Sequence, residues 1–107
     1  MLEINKAIDF PLHIQFDMED AKGKNVHVVL YNKMTGARAT KEDKISEKGD
    51  LDVNFTNMQT QVLDAGLVDL EIVIELGDSK NMIARYEKFA VVKETYLTTP
   101  EPKKQSV

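Results

Sequence analysis

The chain has 107 residues, of which 42% are hydrophobic and 30% charged, so it is long enough for one globular domain with a buried core. The 14 basic and 18 acidic residues give a net charge of -4, which argues against a dedicated binder of nucleic acid or of an anionic membrane. The absence of cysteine excludes disulfides, thiolate metal clusters and a cysteine nucleophile. No basic segment followed by an apolar run predicts a secretory signal, and no apolar stretch approaches the roughly 18 residues of a membrane-spanning helix.

Alternation of apolar and polar residues predicts strands in the first half of the chain. Every even position of residues 10–16 is large and apolar, which indicates a strand with one buried face. Because Pro11 cannot donate a backbone hydrogen bond, this strand is expected to begin at a sheet edge or a bulge. Residues 26–31 predict a second strand and residues 37–40 a short one that pairs back. A solvated loop or frayed edge is expected over the charged residues 41–50.

A third clear strand is predicted at residues 51–55, after which the period changes. Residues 57–65 have helical spacing and predict one or two helical turns, with Asn57 as the N-cap and Gly66 as the stop. The apolar residues at this spacing are Met58, Val62 and Leu63.

Two long strands complete the pattern. Residues 68–76 alternate most regularly and are expected at the centre of a sheet, whereas residues 82–93 have an irregular phase. A bulge near residues 86–88 is expected to switch which side faces the core. About seven short strands predict an all-β fold, an immunoglobulin-like antiparallel β-sandwich over residues 1–95, because one short helix cannot supply crossovers between parallel strands. Residues 96–107 are expected to form a flexible C-terminal tail.

The two histidines do not predict a reactive site. His13 and His27 lie mid-strand on the polar phase, where an exposed or cross-strand histidine is the ordinary arrangement. They could lie near each other across a strand pair, but two imidazoles without a third ligand make a poor zinc site. No catalytic, cofactor-binding or metal-ligating residue is assigned, and the chain is expected not to be an enzyme.

The acidic residues are expected to be structural. Asp69, Glu71 and Glu75 mark the exposed face of the most regular strand, opposite Arg85 and either Lys88 or Lys93 as partners for cross-strand ion pairs. The loop acids match no known calcium loop, so no Ca²⁺ is assigned to them. These acids are Asp17, Glu19 and Asp20, together with Asp78 or with Asp50 and Asp52.

An interaction surface is the functional feature that the pattern favours. Val29 and Tyr31 on one strand, and Val73 on another, are apolar where an outward-facing polar residue is expected. If they cluster, they mark a flat contact with another subunit, and Tyr96 just beyond the last strand is a fourth candidate for this interface. The sequence therefore predicts assembly with other proteins.

The order of these features resembles the N-terminal immunoglobulin-like domain of phage baseplate upper proteins and related phage fibre-anchoring domains. The resemblance covers about residues 7–93, and a Leu-x-x-Gly step into an alternating strand carries most of it. The matching segments are Asp9 to Phe16, Asn25 to Tyr31, Gly49 to Phe55 and Thr60 to Ile72.

The resemblance implies a virion structural protein, assembled in the bacterial cytoplasm, that binds other baseplate, tail or capsid proteins in multiple copies. Family members usually continue into a fibre or receptor-binding region, so the short tail favours an adaptor or decoration protein. The alternatives left open are a carbohydrate- or cell-surface-binding β-sandwich, which the absence of tryptophan disfavours, and a small hydrolase, for which no nucleophile–base pair is visible. No cofactor, nucleic acid or membrane partner is expected.

Overall fold

The predicted strands form in the computed structural model, which describes residues 1–77 and 81–98. A five-stranded sheet, ordered β1-β7-β6-β3-β4, packs on a two-stranded sheet of β2 and β5. The prediction of an all-β sandwich is confirmed. The strands are β1 (Leu2–Asn5), β2 (Phe10–Gln15), β3 (Asn25–Tyr31), β4 (Arg38–Lys44), β5 (Asp50–Phe55), β6 (Gly66–Glu75) and β7 (Asn81–Lys93).

Two short helical segments accompany the strands, a 3-10 turn at Glu19–Ala21 and the helix α1 at Asn57–Gln61. Neither segment is long and apolar enough to cross a membrane, and the described residues contain no other helix.

The strand β6 lies at the centre of the larger sheet, as its regular alternation predicts. It pairs antiparallel with β3 on one side and with β7 on the other. Apolar residues from both sheets form the core between them. The fully buried members with the largest side chains are Phe55, Ile4, Leu30, Ile45 and Leu63.

The sheet edge predicted from Pro11 is confirmed, and the next strand edge differs from its prediction. Pro11 lies in β2, which pairs only with β5 among the described strands, so its missing N–H disrupts no ladder. The short strand predicted at residues 37–40 begins at Arg38 and extends to Lys44, so residues 41–44, which were expected to form a solvated loop or frayed edge, instead lie in the β4 edge strand of the larger sheet. Its charged side chains are typical of an edge that avoids pairing with other chains.

The strand β1 was not predicted, and its direction corrects the expectation of purely antiparallel sheets. Leu2–Asn5 pairs parallel to the end of β7, with Ile4 opposite Val92. A parallel pair usually needs a crossover connection, but here nearly the whole chain separates the two strands, so no single helix has to supply it. Only the tertiary structure can bring such distant segments together.

The helix α1 is shorter than predicted, and its N-cap lies one residue earlier. Thr56, not Asn57, is the N-cap, because it forms a capping box in which its side chain accepts from the Gln59 N–H and the Gln59 amide accepts from the Thr56 N–H. Asn57 is the first helical residue, and its N–H donates to Asp9 Oδ1 at 2.6 Å. Of the apolar residues at helical spacing only Leu63 is buried, and Met58 and Val62 are exposed.

The bulge in β7 lies where it was predicted, but it does not switch the inward face. Val68 pairs with Ala90 and Leu70 pairs with Tyr86, so β7 carries two extra residues between these positions. Lys88 in the bulge has a φ of 52°, in the left-handed region. Because the insertion is even, the same face of β7 points to the core on both sides of it.

Candidate functional site

The predicted interface residues Val29, Tyr31 and Val73 lie together on the outer face of the five-stranded sheet. Val29 and Tyr31 follow each other on the outer side of β3, and Val73 is diagonal to Val29 on β6. Ile83 on β7 is directly opposite Val73 and is 53% exposed. We call Tyr31, Val29, Val73 and Ile83 the outer stripe. It crosses three adjacent strands and gives an apolar line on a face that points to solvent.

Charged side chains flank the outer stripe. On one side Arg85 Nε donates to Glu71 Oε2 at 2.8 Å, which confirms the predicted cross-strand ion pair. Glu71 raises the pKa of the Arg85 guanidinium above its ordinary value. The other predicted lysine partners bind elsewhere: Lys93 pairs with Glu3 on β1, and Lys88 contacts Asp69 through its backbone N–H. An apolar line between charged flanks is the arrangement of many protein–protein contacts.

Tyr96 does not join the other three candidates. It lies in a turn beyond the end of β7, after Thr95, whose hydroxyl donates to Lys6 O, and it is 94% exposed. The outer stripe crosses β7 at its other end, at Ile83. Sequence reasoning missed Ile83 because the phase of β7 is ambiguous until its register with β6 is known.

His27 lies between two carboxylates at one end of the same face. Its Nε2 is 2.9 Å from Glu75 Oε1, and its Nδ1 is 3.2 Å from Glu42 Oε1. The hydrogen bond with Glu75 raises the pKa of His27 and lowers the pKa of Glu75. A protonated imidazole donates to both carboxylates at once, so this cluster favours the imidazolium form and leaves neither nitrogen free as a base or a metal ligand.

His13 is on the other sheet, so the two histidines are not neighbours. Its Nδ1 is 2.7 Å from Asp52 Oδ1 on β5, directly across the strand pair. This hydrogen bond raises the pKa of His13. The ordinary cross-strand arrangement predicted for both histidines is confirmed.

Asp69 was predicted on the exposed face, but it is buried, with 6% of its surface exposed. Its Oδ1 accepts a hydrogen bond from the Lys88 backbone N–H at 2.9 Å, and its Oδ2 is 3.2 Å from Lys33 Nζ in an ion pair without hydrogen-bond geometry. Lys33 also donates to Glu87 Oε1 at 2.9 Å, and Glu87 and Asp69 together raise the pKa of Lys33. The carboxylate therefore fixes the β7 bulge through the Lys88 N–H and is covered by it, which no local sequence signal indicates.

Across residues 1–77 and 81–98, no group of three or more His, Cys, Asp or Glu side chains is arranged to hold a metal ion. Asp78, one of the loop acids considered for Ca²⁺, lies outside the described residues.

No protein-family model, curated protein or solved structure matches this chain. The fold and the outer stripe define an all-β sandwich protein with a partly apolar outer face.

Proposed function

We propose that this protein is a virion structural or assembly component of a bacteriophage, a β-sandwich adaptor that binds other virion proteins through the outer stripe. The observation that supports the binding role is the continuity of Tyr31, Val29, Val73 and Ile83 across three strands. The assignment to a phage particle is supported by the resemblance of residues 7–93 to fibre-anchoring domains. The two supports are independent, and each has its own test.

The binding role has a physical basis in the sheet geometry. Outward side chains on neighbouring strands form a flat surface, and a partner that covers this surface removes apolar area from water at about 25 cal/mol per Å². The flanking Glu71–Arg85 pair would form the polar rim of such a contact, where charges fix orientation more than they add affinity.

The test replaces Val73 with glutamate, which places a charge in the middle of the apolar stripe. The matched control is Val62→Glu, because Val62 is 59% exposed just after the end of α1, away from the outer stripe. Particles purified on a density gradient from a lysate of the producing host are analysed by mass spectrometry. The wild-type chain and the Val62→Glu variant should sediment with the particles, whereas Val73→Glu should be depleted at least about tenfold, equivalent to about 1.4 kcal/mol.

The outcomes separate the two parts of the proposal. Absence of the wild-type chain from the particles would contradict the virion assignment. Equal incorporation of Val73→Glu and Val62→Glu would contradict the role of the outer stripe and leave the virion assignment standing.

A further inference from the structure

The two-stranded sheet leaves part of the larger sheet uncovered. The inward residues of β5, Leu51, Val53 and Phe55, are 3%, 5% and 0% exposed. The inward residues of β2 are only half-buried, although they have the same alternating pattern. An immunoglobulin-type sandwich places a further strand beside the second strand in this sheet, but here the first strand β1 pairs with β7 of the other sheet. The position next to β2 has no strand among the described residues.

On that side β2 has backbone donors and acceptors at His13 and Gln15, whereas Pro11 at its start has no N–H to donate. Phe16 N–H donates to Gly49 O at 2.8 Å, which continues the register that pairs Ile14 with Leu51. In an antiparallel pair the hydrogen-bonded positions alternate, so the backbone N–H and C=O groups of the even residues of β2 point toward β5. The N–H and C=O groups of His13 and Gln15 therefore point away from β5, and they bind no backbone partner among residues 1–77 and 81–98.

An apolar groove runs beneath this free edge. Its volume is about 270 Å³. One wall is formed by β2, and the floor is formed by the inner faces of β6 and β7. Its principal apolar lining residues are Ile14, Phe16, Ile72, Ile74, Ala84 and Tyr86. We call this space, with the free edge of β2, the β2 groove.

A second copy of the chain is a poor occupant of the β2 groove. Edge-to-edge pairing of two copies would bring two acidic edges together, each with Asp17, where like charges repel. It would also place Pro11 of both copies in the shared ladder, where proline has no N–H to donate. An extended segment of another protein has neither disadvantage.

The charges around the β2 groove indicate the polarity of that segment. Asp17 lies at the mouth of the groove, and Asp50 and Asp52 point outward on β5 around His13, whose ring nitrogens are 2.7 Å from Asp52 and 3.9 Å from Asp50. Three carboxylates against one imidazole leave this outer face net acidic. An added strand would place alternate side chains on the apolar floor and the others on the outer face, next to His13 and Gln15. The chain's own residues 99–107 match poorly, because Pro100 and Pro102 interrupt pairing and Val107 is their only large apolar residue.

We propose that the β2 groove binds an extended segment of a partner protein as an added β-strand. Backbone hydrogen bonds to His13 and Gln15 give affinity, and apolar side chains on the groove floor alternating with basic side chains on the outer face give specificity. This surface is on the other side of the sandwich from the outer stripe, so the inference stands or falls independently of the proposed function.

The probe for this inference is a capped peptide of about six residues in which lysine and valine alternate, titrated into the ¹⁵N-labelled full chain and followed by NMR. Shifts are expected at His13, Gln15, Ala84 and Tyr86. One control peptide carries the same side chains but is N-methylated at the amides that would face β2, and a second has serine in place of valine. Both should bind at least about tenfold more weakly.

A variant of the free edge tests the backbone contribution. Gln15→Pro removes an N–H that points away from β5, so the fold is retained while peptide binding falls at least about tenfold; Gln15→Ala is the matched control and should bind normally. Ala84→Glu places a charge on the groove floor and should abolish binding without touching the edge, which keeps the test valid if the proline variant does not fold.

Four outcomes would overturn the inference. They are equal affinity for the plain and the N-methylated peptide, shifts confined to the outer stripe, no shift with peptide up to about 1 mM, and a dimer in sedimentation that Gln15→Pro dissociates. The last would identify a second copy as the occupant.

Discussion

The two strands of the smaller sheet have the same sequence pattern and different environments. In β5 the inward residues are completely covered by the larger sheet, whereas those of β2 remain half-exposed at the edge of a groove. Alternation therefore identifies which side chains share a face, but it does not show whether that face is covered. Cover depends on which strands lie beside and opposite each strand, which is a property of the whole fold.

Truncation of one inward side chain on each strand gives the largest expected contrast. Phe55→Ala should lower the free energy of unfolding by about 3–5 kcal/mol, because it leaves a cavity in a closed part of the core. Ile14→Ala should cost less than about 2 kcal/mol, because solvent and neighbouring side chains can fill the half-open site. Urea denaturation followed by circular dichroism measures both. Equal losses would show that β2 is packed as tightly as β5.

The bulge in β7 separates a covered segment, with Ala90 and Val92, from the open segment of the groove floor. Asp69→Ala should cost about 1–3 kcal/mol, because it leaves the Lys88 N–H without its acceptor. Asp69→Asn keeps an oxygen acceptor and should recover much of this loss. Amide hydrogen exchange at Lys88 provides a local readout, with faster exchange expected in the alanine variant.

Rapid exchange at Lys88 in the wild-type chain would contradict this account of the bulge. Equal destabilisation by the alanine and asparagine variants would assign the effect of Asp69 to its charge on Lys33, and not to the hydrogen bond.

The smallest expected effect is the pH dependence of stability. His13 and His27 have pKa values raised above 6.5 in the folded chain by Asp52 and Glu75. A histidine whose pKa is higher in the folded than in the unfolded chain stabilises the fold fully at pH values below its unfolded-state pKa. This contribution is lost as the pH rises through its folded-state pKa. The urea concentration at the unfolding midpoint should therefore decrease as the pH rises from about 6 to about 8.

Single variants divide this pH effect between the two sheets. His27→Gln should remove the larger part, because His27 contacts two carboxylates and its side chain is 30% exposed, against 57% for His13. The double variant with His13→Gln should have a flat profile. A midpoint that rises with pH in the wild-type chain would contradict the pKa directions.

Much of the fold was predictable from the sequence because most strands have one solvent-exposed face and one buried face. The regular phase of β6 predicted its central place, and Pro11 predicted an edge. β1 escaped prediction because its partner on β7 is nearly the whole chain away. Asp69 was misplaced because a buried acid looks like any outward polar residue until its partners at Lys33 and Lys88 are known.

The candidate site was predicted in part for the same reason. Val29, Tyr31 and Val73 follow from strand phase alone, whereas Ile83 required the register between β6 and β7, and Tyr96 required the path of the chain after β7. No sequence signal indicated the β2 groove, because the groove exists only since no strand among the described residues pairs with the free side of β2.

By itself the sequence determined the periodicity, and with it the all-β class, most strands and the side chains that share each face, because strand geometry turns every second residue to the same side. Only the tertiary structure decided that β1 joins the larger sheet, that Asp69 is buried under the bulge and that β2 has a free edge. Each of these depends on contacts between segments far apart in the chain, which local patterns do not encode.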